Sequence, residues 1–424
     1  MSAQPYDLVG LGIGPFNLSL AALAESLGGL KKAFFDAKPE FQWHPELMLP
    51  DATMQTTWVK DLVSAVAPTS PYSFLNYLVE NRRFYAFLNT GRSVILRQEF
   101  EDYCRWVSRG LSSLNFQSPV REIDFKDLSF QIRLDDRTVQ AKHVCLGTGL
   151  QVHMPKVAEK YLGPRCFHPK SAHLAELDVT GKRVLIVGGG QTGAEIFLNM
   201  LRGRWKQPDR IHWISRRPNL EPLDESAFTN EYFMPHYVKN FHKLPIEEKD
   251  HIVRSQKLSS DGITPAYLLE LHRELYRHGH VERRGPEVII QTNRELDDLQ
   301  QQGDIFQARL RHTVRGETSP LACDIVILCT GFQSRLPGFM EPLLPSLGMD
   351  HLGRPLVGEN FQMDWDGPAS NRLYAVNFSR HGHGIAEPQT SLMAWRSACI
   401  LNDVLGCDRF RLNNEAQGFL QFFS

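Results

Sequence analysis

Three things are scarce in this chain, and each absence narrows its role. Its seven cysteines (Cys104, Cys145, Cys166, Cys323, Cys329, Cys399, Cys407) are scattered, odd in number and contain no CxxC pair. That excludes a disulfide framework and a redox-active dithiol, and it fits a protein of the reducing cytoplasm. An excess of charge is missing too: 47 Lys and Arg against 48 Asp and Glu leave a formal net charge of −1. No basic field therefore points to nucleic acid or to an anionic membrane surface. Nor does any apolar run reach the ~18 residues that a membrane span needs. The N-terminus is apolar but lacks a basic leader and carries Asp7 and Asn17, so it reads as a buried strand and helix rather than a signal peptide. There are no repeats and no low-complexity segments. What remains is a 424-residue chain, 42% hydrophobic and 22% charged, which is ordinary globular composition at a length that calls for two or more domains.

The chain is organised around YDLVGLGIGPFNLSLAAL, from Tyr6 to Leu23. A short apolar run leads into Gly12-Ile13-Gly14-Pro15-Phe16-Asn17 and then into a helical Leu/Ala pattern. Strand, tight turn and helix start form the βαβ opening that seats a pyrophosphate on a helix N-terminus. Gly12 allows the turn, and Gly14 lets backbone N–H groups approach phosphate. Asn17 stands where a third glycine is usual, so either helix and strand pack further apart or its side chain works on the cofactor. Phe34-Phe35-Asp36 reads as the end of the next strand, with Asp36 placed for ribose hydroxyls.

A second nucleotide motif follows. The buried-type strand Lys182–Val187 runs into Gly188-Gly189-Gly190-Gln191-Thr192-Gly193, with all three required glycines, and then into a helix. The next strand, Ile211–Ile214, ends in Ser215-Arg216-Arg217 instead of an acidic residue. Arginine there accommodates a 2′-phosphate, which selects NADPH over NADH.

Between these motifs lie an irregular aromatic stretch (41–61) that suggests a pocket-lining loop, amphipathic helices at 71–88 and 98–111, and a meander over 119–146 ending in Gly147-Thr148-Gly149. Beyond them, 222–280 reads as helical and polar-aromatic, with strand-like segments near 286–292 and 305–314. Asp324–Leu328 then runs into Cys329-Thr330-Gly331-Phe332, which reads as a second return to the flavin sheet. The expected class is α/β, with two Rossmann-like dinucleotide-binding domains and a small helical substrate region. The expected parts are FAD domain 1–165 and 321–424, NADPH domain 166–222 and 285–320, and helical substrate region 223–284.

With these motifs in place, the chain resembles the flavin-dependent N-hydroxylating mono-oxygenases of siderophore biosynthesis, over essentially its whole length. It is closest to the lysine N6-hydroxylases and the cadaverine or putrescine hydroxylases, with ornithine N5-hydroxylases more distant. The resemblance is carried by Gly12–Asn17, Met54-Gln55 through Lys60-Asp61-Leu62, Pro71–Tyr77, Gly188–Gly193, Asn230-Glu231 and Ser391-Leu392-Met393-Ala394. It implies FAD on Gly12, Gly14, Pro15, Asn17 and Asp36, with Met54, Gln55 and Ser391 near the flavin. It also implies NADPH on Gly188, Gly190, Gln191, Gly193, Arg216 and Arg217, and cofactor contacts from Thr330 and Gly331. Gln55 and Asn230 take catalytic roles, and Lys60, Asn230, Ser260 and Ser391 face the substrate. Two departures stand out: the family's Ala-Thr-Gly-Tyr reads Cys329-Thr330-Gly331-Phe332, and an asparagine of the ornithine enzymes appears as Ser259-Ser260.

The chemistry implied is reduction of FAD by NADPH, addition of O₂ at the flavin C4a, and transfer of the distal oxygen of that hydroperoxide to an amine nitrogen. The amine must be neutral to react, which at pH 7 costs an alkyl ammonium about 4.6 kcal/mol; desolvation lowers amine pKa values by up to ~3–5 units. The expected substrate is a terminal amine on a flexible aliphatic chain, cadaverine first, with putrescine and lysine as alternatives. The resemblance further implies a homo-oligomer, tetramer or dimer. Rival readings are a lysine N6-hydroxylase proper and a non-enzymatic flavin and NADPH binder. A disulfide reductase fails for want of a dithiol, and the Baeyer–Villiger fingerprint is only partly echoed by Phe167–His173. His168 and His173, without a Cys or carboxylate cluster, read as linker residues and not metal ligands.

Overall fold

Leu8, Val9 and Leu11 are wholly buried, as the central strand of a sheet covered on both faces must be. In the computed structural model, which describes residues 4–283, 285–412 and 418–423, this strand (Tyr6–Leu11) lies parallel to Lys32–Phe35 on one side and Thr138–Leu146 on the other. The expected domain limits at 1, 284 and 424 fall outside the described residues. The first sheet runs Leu114–Asn115, Lys32–Phe35, Tyr6–Leu11, Thr138–Leu146, Ser129–Arg133, Glu122–Lys126, and Leu373–Ala375 joins it beside Thr138–Leu146. Helix Pro15–Glu25 is buried along nearly all its length and packs against helix Met393–Leu405.

The second sheet is wholly parallel, in the order Glu287–Gln291, Arg210–Ile214, Arg183–Val187, Ile325–Leu328, Cys166–Phe167. Here the structure corrects an expectation. Ile325–Leu328 was read as returning to the flavin sheet, but it pairs with Arg183–Val187, Val326 opposite Leu185. Leu373–Ala375 makes the return instead. The physical reason is that four apolar residues buried on both faces need parallel neighbours on both sides, and the nearest open edge is the one beside the Gly188 turn. An antiparallel ribbon, Gln151–Val152 with Phe332–Gln333, joins the two sheets' connections. The strands Arg294–Gln302, Ile305–His312 and Thr318–Cys323 form a separate three-stranded antiparallel sheet. Short helices Pro235–His242, Ile246–Ser255 and Pro265–Tyr276 make up the helical region.

The expected 71–88 helix is two helices, Phe74–Glu80 and Phe84–Leu88, separated where Arg82 takes a positive φ of 57°. No helix among the described residues is long and apolar enough to cross a membrane. All seven cysteines are free, and six are buried.

A bidentate ion pair with a buried carboxylate links the two nucleotide folds. Arg97, at the start of helix Arg97–Arg109, grips Glu195 of helix Gln191–Leu201 with both guanidinium nitrogens, at 3.0 and 2.8 Å. Glu195 is 1% exposed, so its charge depends on that grip. Arg97→Met should lower stability by about 3 kcal/mol, because removing one partner strands the other charge in the interior. Adding Glu195→Gln should recover much of the loss, as read by thermal or denaturant unfolding; an unchanged melting midpoint in Arg97→Met refutes the pairing's importance.

Candidate active site

Both glycine turns lie at the carboxyl end of a strand flanked on either side, the point where strand order reverses and ligands bind in open α/β sheets. At the first turn Gly12 has φ of 86°, and a Cβ there would meet the Gly147 carbonyl oxygen at 2.7 Å. Gly14 differs: a Cβ on it would meet only that oxygen, at 3.9 Å. The fold itself does not need glycine at 14. Pro15 opens the helix without a side-chain cap and without an acidic residue in the first turn, which leaves its free N–H groups to an anion. The pyrophosphate of a dinucleotide fits that cradle.

Asp36 works on the turn directly: its carboxylate accepts the N–H of Ile13 at 2.7 Å and that of Lys38 at 2.9 Å. Asn17 turns away from the cradle. Its amide nitrogen donates to the carbonyls of Leu11, Gly12 and Cys145, and Gly147 makes the room, since a Cβ there would lie 2.5 Å from that nitrogen. The missing third glycine is thus compensated across the sheet. Behind the turn, the Arg396 guanidinium stacks on the Phe16 ring at 4.6 Å and pairs with Glu387 at 3.5 Å, both wholly buried. Burial raises the Glu387 pKa and lowers that of Arg396.

At the second turn three glycines serve packing. A Cβ on Gly188 would meet the Cys329 oxygen at 2.1 Å, on Gly189 the Ser215 hydroxyl at 2.1 Å, and on Gly193 the Gly188 oxygen at 2.1 Å. Around Gly190 there is nothing within 4 Å. Thr330 and Gly331 therefore stand beside this turn. Gln191 spends its side-chain amide on Glu195 and on the Thr264 N–H, which links this turn to the helical region. Arg216 is exposed. Arg217 donates to the Asp261 carbonyl at 2.9 Å, and its other terminal nitrogen is buried without a partner. Lys257 and Arg380 complete a cationic cluster around Asp261, and the nearby arginines help burial lower the Lys257 pKa. Sequence reasoning missed both, because neither sits in a motif.

The loop 54–61 lines a small cavity with Met54, Trp58, Lys60, Phe74, Phe100 and Tyr103. Asp61 does not pair with Lys60. Its oxygens accept the N–H groups of Val63, Ser64 and Phe74 and the Ser64 hydroxyl. Lys60 is left half-buried with no carboxylate partner among the described residues, and desolvation lowers its pKa. Thr56 and Thr390 bring this loop against Ser391, whose hydroxyl is buried and unpartnered. Gln55 is exposed, as is Asn230 on the turn Thr229–Phe233. Ser260 accepts from Arg380 at 3.0 Å, which ties the helical region to the segment that also carries Ser391. Phe332 keeps its ring between His44 and His168, at 5.8 and 5.3 Å, and burial pushes these histidines down to about 3 and about 4.

Residues 4–334 match the family described as L-lysine 6-monooxygenase/L-ornithine 5-monooxygenase. The chain belongs to that family. Its members are flavin- and NADPH-dependent N-hydroxylating mono-oxygenases. The chain is 43% identical to the L-lysine N6-monooxygenase of Escherichia coli, over 96% of each chain. It is 31% identical to the putrescine N-hydroxylase of Acinetobacter baumannii, over 96% of this chain and 91% of that one. Among solved structures, the FAD-bound cadaverine monooxygenase DfoA of Erwinia amylovora superposes with a TM-score of 0.92 at 28% identity, over 99% of each chain. The ornithine N-hydroxylase KtzI of Kutzneria, holding reduced FAD, NADP⁺ and L-ornithine, gives 0.88 at 26% identity, over 95% of this chain and 99% of that one.

Because a Cβ at position 14 clashes with nothing in the protein, Gly14→Val tests the cradle rather than the fold. The purified variant should melt as the parent apoprotein does yet retain little flavin, measured by absorbance at the flavin band. Full flavin content would overturn the placement.

Proposed function

We propose that this enzyme hydroxylates the terminal amine of lysine in siderophore biosynthesis, with cadaverine as the second reading. The carrying observation is Lys60: a half-buried ammonium, beside an aromatic-lined cavity, with its sequence neighbour Asp61 fully occupied elsewhere. An unmatched cation there suits a substrate that ends in a carboxylate. The 43% identity to a lysine enzyme against 31% to a putrescine enzyme supports the same choice, although the sequence reading put cadaverine first. A diamine would leave Lys60 without a use.

Bound reduced flavin and O₂ supply the electrophilic oxygen, and the protein orients and dehydrates. Trp58, Phe74, Phe100 and Tyr103 provide apolar walls, which favour the neutral amine over the ammonium. The Tyr103 hydroxyl donates to the Tyr72 carbonyl at 2.6 Å, so it offers no competing proton. Gln55 and Ser391 stand on the flavin side, Asn230 and Ser260 on the nicotinamide side. Arg216 and the unpartnered nitrogen of Arg217 hold the 2′-phosphate of NADPH. Seven free thiols suit a cytoplasmic enzyme, and the exposed Leu75, Val79, Tyr85 and Leu88 suit a homo-oligomer.

Hydroxylamine formation measured over lysine, ornithine, cadaverine and putrescine, repeated with Lys60→Ala, tests the substrate. For lysine the variant's KM should rise ~10-fold or more, from loss of a charge-assisted contact, and for a diamine it should barely move. Burial depresses the Lys60 pKa, so the contact fades as pH rises, earlier than for a free lysine. The ratio of lysine KM to cadaverine KM should therefore climb with pH, and a flat ratio counts against Lys60.

Arg216→Ala and Arg217→Ala should each cut kcat/KM for NADPH by ~10–100-fold, with little change for NADH. Unchanged NADPH/NADH ratios in both variants would remove the phosphate assignment.

A further inference from the structure

Glu231 neighbours Asn230, and its carboxylate is buried yet forms no ion pair among the described residues. It accepts instead two backbone N–H groups from a distant segment, Phe419 at 3.0 Å and Leu420 at 2.7 Å. Gly418 permits this approach, since a Cβ on it would lie 2.6 Å from the Glu231 carboxylate and 2.7 Å from the His236 ring. The same segment then lays Phe422 edge-on against Tyr237 at 4.8 Å and beside Tyr232 at 5.5 Å, with Phe423 against Tyr237 at 5.5 Å. Both ends of the contact are specific: a carboxylate clamp and an aromatic latch.

The helix so gripped, Pro235–His242, presses its other face on the segment that carries Ser391. His242 stacks on His383 at 4.7 Å and meets the Gly382 carbonyl at 3.2 Å. Tyr237 also exchanges hydrogen bonds with Gln256, at 2.7 and 2.9 Å, which leads directly into Lys257 and Ser260.

We infer that residues 418–423 form a strap that positions the Asn230 turn and its helix over the reaction site, with Glu231 as the positioning residue that receives it. The inference rests on the proposed role of Asn230 toward substrate and nicotinamide. Two backbone donors on one carboxylate fix the turn's height, and the phenylalanines fix the helix behind it. With the strap gone, Glu231 becomes a desolvated charge without donors, and the turn gains freedom where water must be kept from the flavin.

The test uses the full flavoenzyme beside a chain ending at Leu412, Glu231→Gln, Phe422→Ala and Asn230→Ala, with hydroxylamine formed per NADPH oxidised as readout. The truncated chain, Glu231→Gln and Phe422→Ala should keep their flavin and oxidise NADPH while coupling falls roughly threefold or more and amine KM rises. A peptide of Gly418–Phe423 added to the truncated enzyme should restore coupling, which a general loss of stability would not allow. If truncation abolishes flavin binding, the two point variants decide. Parental coupling in both, with Asn230→Ala impaired, overturns the strap. Impaired coupling in the strap variants, with Asn230→Ala unaffected, overturns the role of Asn230 and with it the route by which the strap acts.

Discussion

Two carbonyl oxygens, of Gly147 and Cys329, decide where everything else in this protein can sit. Each belongs to the strand next to a nucleotide-binding strand, and each presses against the first glycine of the neighbouring turn, Gly12 or Gly188. No side chain fits between them, so the backbone is held tight on the inner side of each turn, and the outer side is left open at Gly14 and Gly190. In both folds the glycine that meets the neighbouring carbonyl serves the protein, and Gly14 or Gly190 is left open to a ligand. Asp36 secures the first turn by taking the Ile13 N–H, and Trp213 secures the second by donating to the Gly188 carbonyl at 2.8 Å.

Two ion pairs reach into the interior. Arg97 with Glu195 and Arg396 with Glu387 place charge where apolar packing would have cost less desolvation, with Arg97 alone partly exposed. Arg97 and Glu195 are long-range partners whereas Glu387 and Arg396 are close in sequence, and each pair touches the frame of a cofactor site: Glu195 stands on the helix after Gly190, and Arg396 lies on Phe16. A charge pair has one good geometry, whereas an apolar contact tolerates several, and Arg97 with Glu195 accordingly constrains how the two sheets meet.

The sequence made the nucleotide turns legible because their constraints are local. A strand, a glycine and a helix start are all within a dozen positions, and the Arg216-Arg217 ending declares its charge without any partner. What it hid was non-local. Asn17 could not be placed until Gly147 was seen to vacate space for it, 130 positions away. Ile325–Leu328 carries no mark saying which sheet it joins, and only the pairing with Val184–Val187 settles it. Lys60 and Asp61 are adjacent in sequence, yet the loop's own N–H groups claim the carboxylate. Lys257 precedes Asp261 by one helical turn, but Arg380 reaches it from a segment more than a hundred positions away, and no motif connects the three.

The free thiols have a consequence for the lifetime of the catalyst. An enzyme of this type leaks hydrogen peroxide whenever oxygen activation is not followed by transfer, so it works inside its own oxidant. Peroxide attacks thiolates, not thiols. Burial raises Cys166 to about 11 and Cys145 and Cys323 to about 12, and lifts Cys104 and Cys329 as well. These sulfurs stay protonated and out of reach at any physiological pH. Only Cys407 is exposed, on the turn after helix Met393–Leu405, so chemical ageing of this protein begins at a single sulfur away from both glycine turns.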